Sequence, residues 1–133
     1  MSTANTAMIQ SLYAAFLRGD IRPILDTLTP DATWHVHGVA TDHPGMGVFN
    51  GPAGAERFFA TIAEVQDAKE FTPREYYAID DKVFVLGHYA WTMRGSGKQV
   101  ASDWVHIFTI KGGKVTAFDE FTDTARFAEA MRG

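Results

Sequence analysis

His106, Asp119 and Glu120 lie in one segment, Asp103 to Thr122 (DWVHIFTIKGGKVTAFDEFT), whose pattern brings an imidazole and two carboxyl groups onto facing strands. Two apolar runs flank Gly112-Gly113, a dipeptide that accepts the positive φ angles of a two-residue turn, and together they predict a β-hairpin. With Lys111 opposite Lys114, the register puts Ile107 opposite Phe118, His106 opposite Asp119, Val105 opposite Glu120 and Trp104 opposite Phe121. One face then carries Val105, Ile107, Thr109, Phe118, Glu120 and Thr122, and the other Trp104, His106, Phe108, Ala117, Asp119 and Phe121. Glu120 is thereby a carboxyl group among apolar neighbours, a setting suited to a general acid or base. The alternative is that it pairs with a cation such as Arg74 or Arg94 and does no chemistry. As cross-strand neighbours, His106 and Asp119 could form a carboxylate-histidine pair that orients an imidazole, although no serine nucleophile has a place beside them. His35 and His37, two residues apart on one strand face and with His43 nearby, resemble half of a metal site. The ligand count is incomplete without a further carboxylate or histidine, and no metal is expected.

These groups need a scaffold to hold them. Ala7 to Arg18 predicts an amphipathic helix with Ile9, Leu12, Tyr13 and Phe16 on one stripe and Gly19 as its stop. A second helix follows, with Asp20 placed to cap it, Pro23 in its first turn and Ile21, Ile24, Leu25 and Leu28 as its buried stripe. Thr29-Pro30-Asp31 turns the chain into a short strand, Ala32 to His37, and Gly38 to Gly51, with four Gly and one Pro, reads as a long loop. Pro52 opens a third helix with Ala55, Phe58, Phe59, Ile62 and Val65 at helical spacing. From there the period changes to two. Strands are predicted at Glu70 to Ile79, interrupted by Pro73, then Lys82 to Arg94, Gln99 to Ile110 and Lys114 to Thr122, before a closing helix from Thr124 to Met131 capped by Asp123. The order predicts an α+β domain, residues 1–133, with helices on one side of a curved and mostly antiparallel sheet.

Composition narrows the function classes. The chain has 133 residues, no cysteine, 46% hydrophobic and 21% charged residues and a net charge of -4. These values suit one globular domain and exclude thiol chemistry and cysteine-bound metal or iron-sulfur clusters. No run of Lys or Arg offers a phosphate-binding surface, so no nucleic-acid partner is expected. No apolar run is long enough for a membrane span, and MSTANTAMIQ lacks the basic head and apolar block of a signal peptide, so a cytoplasmic location is expected.

Several stretches carry a resemblance: LYAAFLRGD (Leu12 to Asp20), PDATWH (Pro30 to His35), NGPAGAERFF (Asn50 to Phe59), WVHIFTIKGGKV (Trp104 to Val115) and FDEFTDTA (Phe118 to Ala125). In this order and spacing the chain resembles the nuclear transport factor 2-like superfamily, in its SnoaL-like and ketosteroid-isomerase-related branch. The resemblance implies a cystatin-like roll, a cone-shaped sheet whose concave side is closed by helices around an apolar pocket. The positions matching the catalytic tyrosine and two aspartates of ketosteroid isomerases are here Leu12, Val36 and Val105, all apolar, so a true steroid isomerase is not implied. Glu120 matches the acid/base carboxylate that SnoaL-type polyketide cyclases place on their last strand.

On this fold the expected pocket wall is Trp34, Val36, Tyr89, Trp91, Val105, Ile107 and Phe118, with Tyr13, Phe16 and Phe59 from the helices, a wall suited to a flat apolar or aromatic ligand. The opposite face, with Trp104, His106, Phe108, Asp119 and Phe121, is expected to be a homodimer interface, and His88 a surface or interface residue. The loop His43 to Gly51 is either a lid over the pocket or an ordered plug built on Met46 and Phe49. The function implied is acid-base isomerisation, cyclisation or hydration of an apolar or aromatic metabolite without a cofactor, with Glu120 moving the proton and Tyr89 a candidate to stabilise an enolate. The alternative is a ligand-binding or interaction module of the same fold with no chemistry.

Overall fold

A computed structural model describes residues 3–132. The elements run α1 (Thr3–Leu17), α2 (Arg22–Thr27), β1 (Leu28–Val36), β2 (Gly47–Asn50), α3 (Gly51–Val65), β3 (Gln66–Ile79), β4 (Lys82–Met93), β5 (Gln99–Lys111), β6 (Lys114–Thr122) and α4 (Thr124–Met131). The strands form one curved, unclosed sheet in the order β2-β1-β6-β5-β4-β3. β1 and β6 run parallel and every other neighbouring pair antiparallel. Among the described residues no helix is long and apolar enough to cross a membrane.

The helices follow their apolar stripes. α1 buries Ile9, Leu12 and Tyr13 and ends at Gly19, whose φ of 79° lets the Asp20 N–H return to the Ala15 carbonyl at 2.9 Å. Asp20 does not occupy the cap position of α2, which falls on Ile21, but its carboxylate still accepts from the Arg22 N–H at 3.2 Å. α3 begins at Gly51, where φ is +68° and a Cβ would come within 2.8 Å of the Pro30 carbonyl oxygen, so the strand-to-helix corner requires glycine. Asp123 caps α4 by accepting from the Arg126 N–H.

Three boundaries differ from expectation. β1 starts at Leu28 and runs through Pro30, because its pairing with β6 is irregular between Leu28 and Thr33 and asks for no regular ladder there. The end of the predicted loop Gly38 to Gly51 is ordered as β2, which pairs Gly47–Asn50 antiparallel with β1. β3 begins at Gln66 and absorbs Pro73 beside a second register shift, so a long strand replaces the shorter one expected.

The correction that matters for function is in the last hairpin. Gly112 and Gly113 have φ of 58° and 76°, and Lys111 pairs with Lys114 as the turn dictates. Between Ile110↔Val115 and Thr109↔Ala117, however, Thr116 is an extra residue. This bulge slides every later pair by one, so that Phe108 lies opposite Phe118, His106 opposite Glu120 and Trp104 opposite Thr122. The concave face therefore gathers Trp104, His106, Phe108, Phe118, Glu120 and Thr122, while Val105, Ile107, Asp119 and Phe121 face outward. The predicted pairs His106 with Asp119 and Val105 with Glu120 do not form.

Candidate active site

Five strands, the four helices and the loop before β2 close around a cavity of about 90 Å³. β1 presents Trp34 and Val36, β4 Tyr89 and Trp91, β5 His106 and Phe108, and β6 Phe118, Glu120 and Thr122; α1 adds Leu12, Tyr13 and Phe16 from above, and α3 Phe58, Phe59 and Ile62. The alternation of β4, buried at every second residue, is what points Tyr89 and Trp91 inward. Aromatic rings stack along and behind the wall: Trp34 lies on Phe118 with ring centroids 3.9 Å apart, and Trp104 on His106 at 3.8 Å. Gly87 makes room for this arrangement, since a Cβ there would sit 2.3 Å from the Trp104 ring.

The polar groups of the cavity are linked. His106 is 4% exposed, with Nε2 2.8 Å from Glu120 Oε1 and Nδ1 2.6 Å from the Tyr13 hydroxyl. Burial lowers the His106 pKa by penalising the imidazolium, against the opposing pull of the Glu120 hydrogen bond and charge. Burial also raises the Tyr13 hydroxyl well above its ordinary value, so it stays protonated. The tautomer follows from the partners: Tyr13 donates to Nδ1, and Nε2–H donates to the carboxylate. The second carboxylate oxygen, Oε2, lies 3.1 Å from the Tyr89 hydroxyl, whose single proton is shared with Thr122 Oγ1 at 2.8 Å. Thr122 in turn reaches Ser102 Oγ at 3.2 Å. Desolvation, reinforced by the Glu120 charge, keeps Tyr89 protonated as well. Glu120 thus has one oxygen fixed by a neutral histidine and another beside a hydroxyl that has a second acceptor available.

Of the residues expected to line a pocket, Tyr13, Phe16, Trp34, Val36, Phe59, Tyr89, Trp91 and Phe118 do so together with Glu120. Val105 and Ile107 do not; they lie half-buried on the outer face. Of the residues expected at an outer interface, Trp104, His106 and Phe108 are buried inside their own chain and only Asp119 and Phe121 remain outside. The expected cation partners are also elsewhere, Arg74 beside Asp103 and Arg94 bonded to Asp67. Thr122 shares the face of Glu120 as the alternation of β6 requires, whereas His106 and Phe108, expected on the opposite face, join them in one site. The available signal was size: Trp104 and Phe108 on one parity of β5 outweigh Val105 and Ile107 on the other, and the bulkier face belongs inside.

His43 belongs to the pocket rim rather than to a metal site with His35 and His37. Its Nδ1 accepts from the Gly45 N–H at 2.9 Å, and Nε2 lies 2.8 Å from Gln66 Oε1, while burial lowers its pKa. Met46 is buried beside it. β2 pairs with β1, and from this segment Phe49 packs half-buried against the core. Of the positions matched to steroid-isomerase catalytic residues, Leu12 and Val36 line the cavity and Val105 faces away, so the inward ionisable group on β5 is His106.

The SnoaL-like domain profile matches residues 9–118. The chain belongs to the SnoaL-like domain family. No match is found among curated proteins. Solved structures similar to this SnoaL-like chain include a nuclear transport factor 2-like protein from Burkholderia thailandensis E264, 26% identical with 96% of each chain covered and a TM-score of 0.87. TerC, crystallised with polyporic acid, is 29% identical over 97% of this chain and 98% of its own, with a TM-score of 0.85. A Mesorhizobium loti protein described as a SnoaL-like polyketide cyclase is 18% identical over 91% of this chain and 99% of its own, with a TM-score of 0.72, a likeness of fold alone. The profile match stops before Glu120, so the SnoaL-like assignment does not itself reach the carboxylate.

Proposed function

We propose that this SnoaL-like protein is a cofactor-independent acid-base enzyme of the isomerase, cyclase or hydratase type, acting on a small apolar or aromatic carbonyl compound. The observation that carries the reading is the 2.8 Å contact between a neutral, buried His106 and Glu120 at the wall of an apolar cavity. Both ring nitrogens of His106 are engaged, so the histidine positions and the carboxylate reacts. Glu120 Oε2 takes a proton from the carbon next to a carbonyl, and the electron pair moves to the carbonyl oxygen to give an enolate. Tyr89 turns its proton to that oxygen, leaving Thr122. Returning the proton at another carbon completes an isomerisation; attack of the enolate carbon on a second carbonyl carbon, whose oxygen takes the bond's electron pair and then the proton held by Glu120, completes a cyclisation.

The ligand is compact or the wall moves. An engineered apolar cavity of about 150 Å³ holds benzene, and this one measures about 90 Å³. Met46, flexible and buried in the loop before β2, is the side chain suited to yield. Homodimerisation remains part of the proposal, with its surface redrawn to the outward Val105, Ile107 and Phe121, the last 43% exposed. An unchanged sedimentation coefficient for Phe121→Arg would count against that surface.

The activity is tested by following hydrogen-deuterium exchange next to the carbonyl of a panel of aryl ketones in deuterated water, with polyporic acid as a separate binding probe read by tryptophan fluorescence. Wild type is expected to exchange at least one ketone faster than buffer, and Glu120→Gln to lose about a hundredfold or more of that rate, within the usual range for removing a general base, while retaining ligand binding. Binding without any exchange by wild type would overturn the catalytic reading and leave a binding module.

A further inference from the structure

We propose that His35, His37 and Asp119 form a site for one divalent transition-metal ion on the outer face of the sheet, separate from the cavity. The two histidines point outward from β1, on the parity opposite to Trp34 and Val36, and His43, the histidine nearest in sequence, is engaged at the pocket rim by Gln66 and the Gly45 N–H. The parallel pairing of β1 with β6 supplies the third ligand. His35 lies directly opposite Asp119, and the His37 N–H donates to the Glu120 carbonyl at 3.0 Å, so the carboxylate rises between the two imidazoles. His37 Nε2 is 2.8 Å and His35 Nδ1 3.8 Å from the same oxygen, Asp119 Oδ1, and one ligand atom from each residue falls within 4.8 Å of the others. Ligands about 2.0–2.2 Å from a tetrahedral zinc ion stand roughly 3.3 Å apart, so shifts of about an ångström in the side chains bring the triad to coordination distance.

The surroundings fit a ligand set better than a simple ion pair. Among the described residues no lysine or arginine pairs with Asp119, whose ion-pair partners are the two imidazoles. The imidazole rings of His35 and His37 stack at 3.6 Å, and Phe121 stacks on His37 at 4.0 Å, which restricts their rotation. All three ligand residues are about one-third exposed, enough for an ion to enter from solvent. Two imidazoles and one carboxylate select ions of the zinc, copper, nickel or iron(II) class over magnesium or calcium, and three protein ligands leave at least one position open. An ion there would tie β1 to β6, the one parallel pair of the sheet.

The test uses the whole purified chain, stripped with chelator, and Zn²⁺ or Co²⁺ alone as probes, with no dependence on turnover. Isothermal titration with Zn²⁺ is expected to give one site per chain, a raised melting temperature and, with Co²⁺, visible absorption of a low-coordinate complex. Asp119→Asn and His37→Ala are each expected to weaken binding at least tenfold, and His88→Ala, which alters an outward histidine on another strand beside Asp103, to leave it unchanged. In wild type, imidazole resonances of His35 and His37 should shift on adding Zn²⁺ while those of His88 do not, a readout independent of any variant. Absence of saturable binding, or binding indifferent to Asp119→Asn and His37→Ala, overturns the proposal.

Discussion

His106 Nε2 lies 2.8 Å from Glu120 Oε1, on neighbouring strands whose turn alone would have set His106 against Asp119. The one-residue bulge at Thr116 turns a carboxylate-histidine pair on the outer face into one inside the cavity. Asp119, already on the opposite face from Glu120 by strand alternation, is thereby left without His106 and meets His35 and His37 behind the sheet, so one inserted residue decides which carboxylate the buried histidine joins.

Deleting Thr116 should therefore cost far more than changing it. Its half-buried side chain makes only a 3.4 Å bond to the Thr109 carbonyl, so Thr116→Val is expected to unfold in urea within about 1 kcal/mol of wild type, the usual net worth of one such bond. Removal of the residue forces β5 and β6 back into the turn's own register and sets Glu120 or His106 on the wrong face. A lower urea midpoint and loss of the near-ultraviolet dichroism of the Trp104 cluster are expected. A deletion variant with both unchanged would show that the bulge does not hold the register.

Much of the fold was legible because its signals are local. Amphipathic stripes gave α1 and α3, Gly112-Gly113 gave the last turn, and strict alternation fixed the inward set of β4 before any tertiary information. Most of the cavity wall followed, since Trp34, Val36, Tyr89 and Trp91 need only the parity of their own strands. The partner of Glu120 did not follow, because a bulge leaves no compositional mark in KVTAFDEF and its effect is to invert parity relative to the neighbour. Asp119 joining His35 and His37 was equally hidden. It depends on a parallel pairing between strands separated by most of the chain, which no short-range pattern encodes.

Tyr13→Phe isolates the buried hydroxyl that anchors His106. The ring stays in its aromatic neighbourhood, against His106, Trp104 and Phe71, while Nδ1 loses its donor at 2.6 Å. Leaving a buried acceptor without a partner costs about 1–3 kcal/mol, which urea denaturation resolves. If His106 acts by positioning, the variant should also lower the ketone exchange rate while leaving Glu120 in place. Undiminished stability and rate together would mean that the hydroxyl contributes nothing to holding the imidazole.

Gly87→Ala tests how tightly the aromatic wall is fitted. Gly87 pairs with Trp104 across β4 and β5, and the added methyl would meet the indole ring at 2.3 Å. Because Trp104 is itself wedged against His106, it has no free direction in which to retreat. Overpacking of this kind costs about 1–3 kcal/mol, with a disturbed tryptophan emission spectrum as its signature. Gly95→Ala, whose Cβ would meet nothing within 4 Å, is the control expected to leave that spectrum unchanged.

Acid should destabilise the fold through its two buried histidines. Burial lowers the pKa of both His106 and His43 in the native state, and each faces only partial compensation: Glu120 and the Tyr13 hydroxyl around the first, Gln66 and the Gly45 N–H around the second. Above about pH 6.5, the ordinary histidine value, neither native nor unfolded chains hold these protons and the stability is fully present. As the pH falls through that value the unfolded chain takes up protons that the native chain refuses, so stability is lost until the native pKa is reached, at up to about 1.4 kcal/mol per pH unit for each histidine. Urea denaturation between roughly pH 7.5 and pH 5.5, a window chosen to stay above the carboxylate range, should show this slope. His43→Gln should reduce it by one proton's share, and a slope unaltered by that change would mean that His43 titrates alike in both states.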